Sequence, residues 1–278
     1  MSEAKVVEAV EAPVIYKSSG ARRIRAIALN TFRESIRDRV LYNLILFVLI
    51  LVAASVFVSD LSLDMESQFT AALGLSAMLV FGALIAIFIG VGLVYKEIDK
   101  RTIYSLLSKP VHRYEFILGK YAGLCLTLLV NSGVMVLATE LALLYVNRKF
   151  VPLQTAVLAA SFLVYLELVL LVAVALMFSS FSTPMLAALF AFAVYVIGHF
   201  SNDLLVMASL SGATMTRVVL TTLYYLLPNL SNFGFITEAS HGQMVPAAMA
   251  FSATLYAIVY IGILLSAAVL IFQKRNFK

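Results

Sequence analysis

The sequence predicts an all-α, polytopic membrane protein with six transmembrane helices, and three observations predict it. The first is composition: of 278 residues, 62% are hydrophobic and 13% charged, against roughly 45–50% and about 25% in soluble domains. A soluble chain of that make-up would have too little polar surface to show to water. The second is the length of its apolar runs, several of which exceed the roughly 18 residues that mark a transmembrane helix. Hydrocarbon cannot satisfy an open backbone, so those runs are expected as helices. The third is the placing of Lys and Arg, which also sets the orientation.

In chain order, residues 1–20 mix charges with small residues and lack a continuous apolar core. They are expected as a flexible cytoplasmic tail rather than a secretory signal. Residues 21–278 are expected as one membrane domain. It opens with an amphipathic helix over 24–39 in the cytoplasmic interface, because Ile24, Ile27, Ala28, Phe32 and Ile36 follow helical spacing while Arg25, Arg33, Glu34 and Arg37 fall elsewhere. Six spans follow, at about 40–58, 71–94, 121–146, 153–178, 185–200 and 247–272. The fifth is shortest, about 24 Å long from the helical rise, marginal against a hydrocarbon core of about 30 Å. Residues 201–246 form a long outer connection whose "RVVLTTLYYLLP" run is too short to cross, and re-entrant or surface helices are expected there.

With the N-terminal segment inside, 17 of the 20 Lys and Arg lie on the cytoplasmic side and three, Arg148, Lys149 and Arg217, outside. The opposite orientation would invert that bias. The sequence pI of about 9.3 thus reflects membrane topology, with no call for a nucleic-acid partner. The one cysteine, Cys125, sits in an apolar run, which excludes a disulfide framework within one chain. The three histidines, His112, His199 and His241, fall in different segments, so no metal site is expected from them.

Charge is concentrated in one internal stretch, "YKEIDKRTIYSLLSKPVHRYEFILGKY", residues 95–121. Within it Tyr95, Ile98, Thr102, Ile103, Leu106 and Leu107 recur at helical spacing, with Lys96, Glu97, Asp99, Lys100 and Arg101 between them. Pro110 ends this helix by biasing Lys109 away from the α region, and a second helix starts near Arg113. The order Glu97, Thr102, Leu106-Leu107, Pro110, Arg113, Phe116, Gly119-Lys120 resembles the first cytoplasmic loop of the ABC-2 transporter permeases. In that family an acid precedes a Gly-Thr pair, and Arg101 stands where the family usually has Gly. The resemblance implies a coupling helix in loop 95–120 that docks on a cytoplasmic ABC ATPase subunit through Glu97, Ile98, Arg101, Thr102, Ile103, Leu106, Leu107, Pro110 and Arg113. The sequence contains no GxxxxGK[ST] phosphate loop, so the chain is not expected to be an enzyme or to bind a cofactor. ATP and Mg would sit on the partner.

Two acids, Glu140 and Glu167, lie inside apolar runs. Mid-membrane carboxylates cost about 2.5–3.5 kcal/mol on an insertion scale, so each is either an interhelical hydrogen-bonding group or a contact for substrate. Gly82, Ala86 and Gly90 stand four residues apart in the second span, and Gly119 and Gly123 in the third. These are small-xxx-small faces that let helices approach closely. The resemblance implies the permease subunit of an ATP-driven exporter in a prokaryotic plasma membrane, paired with a second six-span half. Two alternatives stay open: a permease that transmits ATP-driven motion to a periplasmic partner, and an ion-coupled carrier using Glu140 and Glu167.

Overall fold

A computed structural model describes residues 19–37, 46, 47, 50, 65–99 and 112–274, with the side chains of 37, 93–99 and 274 outside the description. The described residues form helices and connecting turns, with no strand among them. The helices are α1 (Gly20–Arg37), α2 (Glu66–Asp99), α3 (Arg113–Asn147), α4 (Pro152–Ser179), α5 (Pro184–His199), α6 (Ser201–Leu210), α7 (Thr214–Leu226), α8 (Ile236–Ser240) and α9 (Ala247–Lys274), with a 3-10 turn at Leu230–Phe233.

Among the described residues, four helices are long and apolar enough to cross a membrane: α2 over Glu66–Gly92, α3, α4, and α9 over Ala247–Gln273. α5 and α6 together make a fifth element, bent by 66° where they meet. The expected span 185–200 is therefore the first limb of a bent pair, which ends at His199 and leads into residues 201–246. The expected first span, 40–58, lies outside the described residues apart from Leu46, Phe47 and Ile50.

α4 is the centre of the bundle, packing on α2, α3, α5, α8 and α9. Of its most apolar window 72% is buried by protein, against 28% for α9. A helix apolar on every side is suited to that position, because it has no face to give to water. The sharp turn from α3 into α4 has local causes. Arg148 takes a left-handed φ of 56° and closes α3 through its N–H to the Leu144 carbonyl, 2.9 Å away. Pro152 opens α4, and the Gln154 side chain accepts the Val151 N–H at 3.0 Å.

The glycines noted in the sequence mark helix contacts within the chain. A Cβ built on Gly82 would lie 2.4 Å from a Leu168 methyl, and one on Gly90 would lie 3.1 Å from Ala175 Cβ. That edge of α2 therefore lies against α4, with Ala86 buried between the two glycines. On α3 the neighbour is α1. A Cβ on Gly119 would meet Ile27 at 2.7 Å, and one on Gly123 would meet the Ala28 carbonyl oxygen at 2.6 Å.

α1, which covers most of the expected amphipathic helix 24–39, packs on α3. Its contacts with α3 advance in step, Arg23 with Glu115, Ile27 with Gly119 and Thr31 with Gly123. α1 therefore runs alongside the opening turns of α3, and Ile27 and Ala28 of the apolar stripe are spent on protein. α3 has room for this. Its 35 residues span about 52 Å, well beyond a hydrocarbon core of about 30 Å. Arg22, Arg25 and Arg33 remain exposed on the other side of α1.

Candidate functional site

Only part of the expected coupling set falls on described side chains. Glu97 and Ile98 belong to the last turns of α2, where the backbone alone is described. Arg101, Thr102, Ile103, Leu106, Leu107 and Pro110 lie outside the described residues. Arg113 is the first residue of α3, as its position after Pro110 predicts.

Where the loop re-enters the bundle, three helices meet. Arg113 Nη1 donates to the Phe272 and Gln273 carbonyls, each at 2.8 Å. Those carbonyls belong to the last described turn of α9, and a cation suits the negative, C-terminal end of a helix dipole. The Phe116 ring stacks on Phe272 with centroids 5.8 Å apart.

Two residues on, the Glu115 carboxylate is buried and takes a fork of hydrogen bonds from Arg23, with Nε donating at 2.9 Å and Nη2 at 2.6 Å. It also accepts the His112 N–H at 3.1 Å, a donor left over at the start of α3. Such bidentate, charge-assisted pairs fix geometry as well as energy. Lys120, buried beside Gly119, adds a longer contact, its Nζ 3.9 Å from Glu34 of α1. The exit of the loop is thus tied to α1 through Glu115 and to α9 through Arg113.

About midway along α2 the bundle holds a cleft of about 510 Å³. Leu79 and Val80 of α2 form one wall, Tyr195 and His199 of α5 another, and Ile236, Thr237 and Glu238 a third. His199 Nδ1 lies 3.2 Å from Glu167 Oε1, and the side chains are 37% and 2% exposed respectively. Glu167, one of the two acids in apolar runs, therefore lies beside an imidazole that is partly open to the cleft. Tyr195 packs on the His199 ring with centroids 5.4 Å apart.

The connection beside this cleft is fastened by polar contacts. The Asn229 N–H donates to Tyr256 Oη at 2.8 Å, Tyr260 Oη donates to the Leu226 carbonyl at 2.8 Å, and Asn229 Nδ2 donates to Asn202 Oδ1 at 3.3 Å. Gly198 gives the room, since a Cβ there would lie 2.7 Å from the Pro228 carbonyl oxygen.

Glu140 does not join Glu167. It sits where Gln154 Nε2 donates to its backbone carbonyl at 3.4 Å. Gln154 and Glu167 are about 20 Å apart along α4 by the helical rise. The histidines have three separate settings: His112 stacks on Tyr114, His199 meets Glu167, and His241 Nδ1 contacts the Thr237 carbonyl oxygen. Among the described residues no group of three His, Cys, Asp or Glu side chains is placed to hold a metal ion.

The sequence model of the family described as "ABC-2 family transporter protein" matches residues 25–277. The chain belongs to the ABC-2 transporter family. No curated protein is similar enough to this sequence to be matched. An ABC-2 permease is the membrane subunit of an ABC transporter and works with an ABC ATPase, which is consistent with a bundle of long apolar helices.

The residues of this permease that sequence reasoning passed over are Arg23, Glu115, Tyr195, His199 and Glu238. Glu115 carried a signal, since it stands three residues after His112 with the spacing of a capping box. The others needed the fold. His199 and Glu167 lie 32 positions apart on different helices, and Glu238 comes from the connection over 201–246.

Proposed function

We propose that the chain is the membrane half of an ATP-driven exporter in a prokaryotic plasma membrane, worked by a separate cytoplasmic ATPase subunit that docks on loop 95–120. A second six-span half completes the translocation path. ATP and its Mg ion bind on the ATPase, because this chain carries no phosphate loop. The observation that carries this reading is the junction at the exit of the loop, where Arg113 and Glu115 join the start of α3 to α9 and α1. A push on the loop enters α3 at its first turn, and the two arginine contacts pass it to both neighbours without an intervening soft segment. The excess of basic residues at this end supports a cytoplasmic position. Within the loop, Glu97 sets the register of docking, the apolar stripe from Ile98 to Leu107 supplies affinity, and the surrounding cations steer association.

Glu97→Lys is expected to weaken ATPase binding, or to uncouple hydrolysis from transport, while membrane insertion stays normal. Co-purification with its ABC ATPase subunit, together with a transport assay, reads both. An ATPase that stays bound and coupled to the variant would remove Glu97 from the docking face.

The broken α5–α6 element favours a second reading, since ion-coupled carriers build their sites at discontinuous helices. That reading now rests on Glu167 and His199 alone, because Glu140 stands apart. Transport that continues without the ATPase would support it.

A further inference from the structure

We propose that the cleft between α2, α5 and α8 binds amphipathic cations. This names a substrate class for the exporter reading and rests on that reading for the fate of the bound molecule, but not for binding itself.

Charge excludes the alternatives first. Glu238 is exposed at the cleft, and His199 is backed by Glu167. With Glu238 ionised, no protonation state of the Glu167–His199 pair gives the three groups a net positive charge. No Lys or Arg is among the described residues that line the cleft. An anion would find no net compensating charge here, whereas a cation would find the exposed carboxylate of Glu238.

The second observation is the Tyr195 ring in the cleft wall, since an aromatic face attracts a cation within about 6 Å of its centroid. Carboxylate and ring together recognise an ammonium or another soft, weakly hydrated cation.

The third observation supplies the amphipathic part. Val80 belongs both to the cleft and to a stripe that continues down α2 at four-residue spacing through Leu84 and Phe88, which are 52%, 36% and 63% exposed. A hydrocarbon or aryl body can lie along that stripe while its charged head sits between Tyr195 and Glu238. The volume, about 510 Å³, is in the range of small-molecule sites.

Two ions of matched shape and opposite charge, tetraphenylphosphonium and tetraphenylborate, test the assignment. Equilibrium dialysis against the full chain in maltoside micelles, with protein-free micelles subtracted, needs neither ATPase nor ATP. Failure here leaves the coupling junction untouched, and failure of the exporter reading leaves this result standing. Tetraphenylphosphonium is expected to bind at least about tenfold more tightly than its anionic twin, as electrostatic complementarity requires. Glu238→Gln should weaken the cation about fivefold and Tyr195→Leu about five- to tenfold, neither weakening tetraphenylborate. Glu238 is exposed, so its variant is expected to fold. Phosphatidylethanolamine added to the micelles separates two sources of such a cation. Displacement assigns the site to a lipid amine and indifference to a soluble amphiphile, and both uphold it. Equal binding of the two ions, or a charge preference that survives Glu238→Gln and Tyr195→Leu, overturns the proposal.

Discussion

Gly123→Leu is expected to unseat α1 and destabilise the protein by about 1–3 kcal/mol, the range for forcing extra bulk into a packed contact. The clash cannot be relieved by a rotamer change, because the nearest atom to the new Cβ is the backbone oxygen of Ala28 at 2.6 Å. α1 must move as a body, and the Arg23–Glu115 fork would be pulled apart with it. Glu115 would then be left without its charged partner. Gly133 of the same helix has nothing within 4 Å of a built Cβ, so Gly133→Leu is the matched control. It should be neutral or slightly stabilising, since leaving glycine gains roughly 1 kcal/mol of helix propensity. Thermal unfolding of the two variants in micelles gives the comparison, and limited proteolysis shows whether α1 is released. Equal stability of both would mean that α1 does not need the glycine groove of α3.

Arg113→Ala carries the second large effect. Two charge-assisted hydrogen bonds to the end of α9 disappear, and bonds to charged groups are worth about 1.5–3 kcal/mol. The loss should be local at first. The last turn of α9 should exchange its amide hydrogens faster, and hydrolysis by the bound ATPase should drive less transport. Arg113→Lys restores the charge but not the planar guanidinium that spans two adjacent carbonyls, so partial rescue is expected. This separates two roles for the residue. As a docking charge on the ATPase, Arg113 would alter association and leave α9 alone. As a positioning residue it alters α9 and coupling while association persists, and the two 2.8 Å contacts support the latter.

Much of this architecture is legible in the sequence because hydropathy and charge are one-dimensional signals. The apolar runs at 71–94, 121–146, 153–178 and 247–272 match long helices, and the boundary at Arg113 follows from Pro110. The small-residue spacing on α2 and α3 revealed faces but not their partners. Spacing shows that two helices approach closely, whereas only the fold shows that Gly123 meets Ala28 and Gly82 meets Leu168.

What is not legible in the sequence has a common cause. The run at 185–200 reads as a short span because composition does not register a bend, yet the chain turns by 66° after His199. That turn brings His199 to Glu167, giving the acid a partner that no local pattern encodes. The amphipathic stripe of α1 was read against lipid, the default apolar medium beside a membrane. A glycine groove on α3 offers closer packing than lipid does, and Ile27 and Ala28 take it. α4 could not be singled out at all, since a uniformly apolar helix looks the same in sequence whether it faces lipid or neighbours.

The central claim, that loop 95–120 is where an ATPase delivers its force, is tested most directly by photo-crosslinking. A photoreactive phenylalanine derivative replaces Leu107 in the loop or, as a control, Gln243 in the connection over 201–246, in membranes that also hold its ABC ATPase subunit. The account predicts an ATPase adduct from position 107 whose yield changes when ATP is added, and none from position 243. An adduct from 243, or none from 107 in membranes that still hydrolyse ATP and transport, would contradict it.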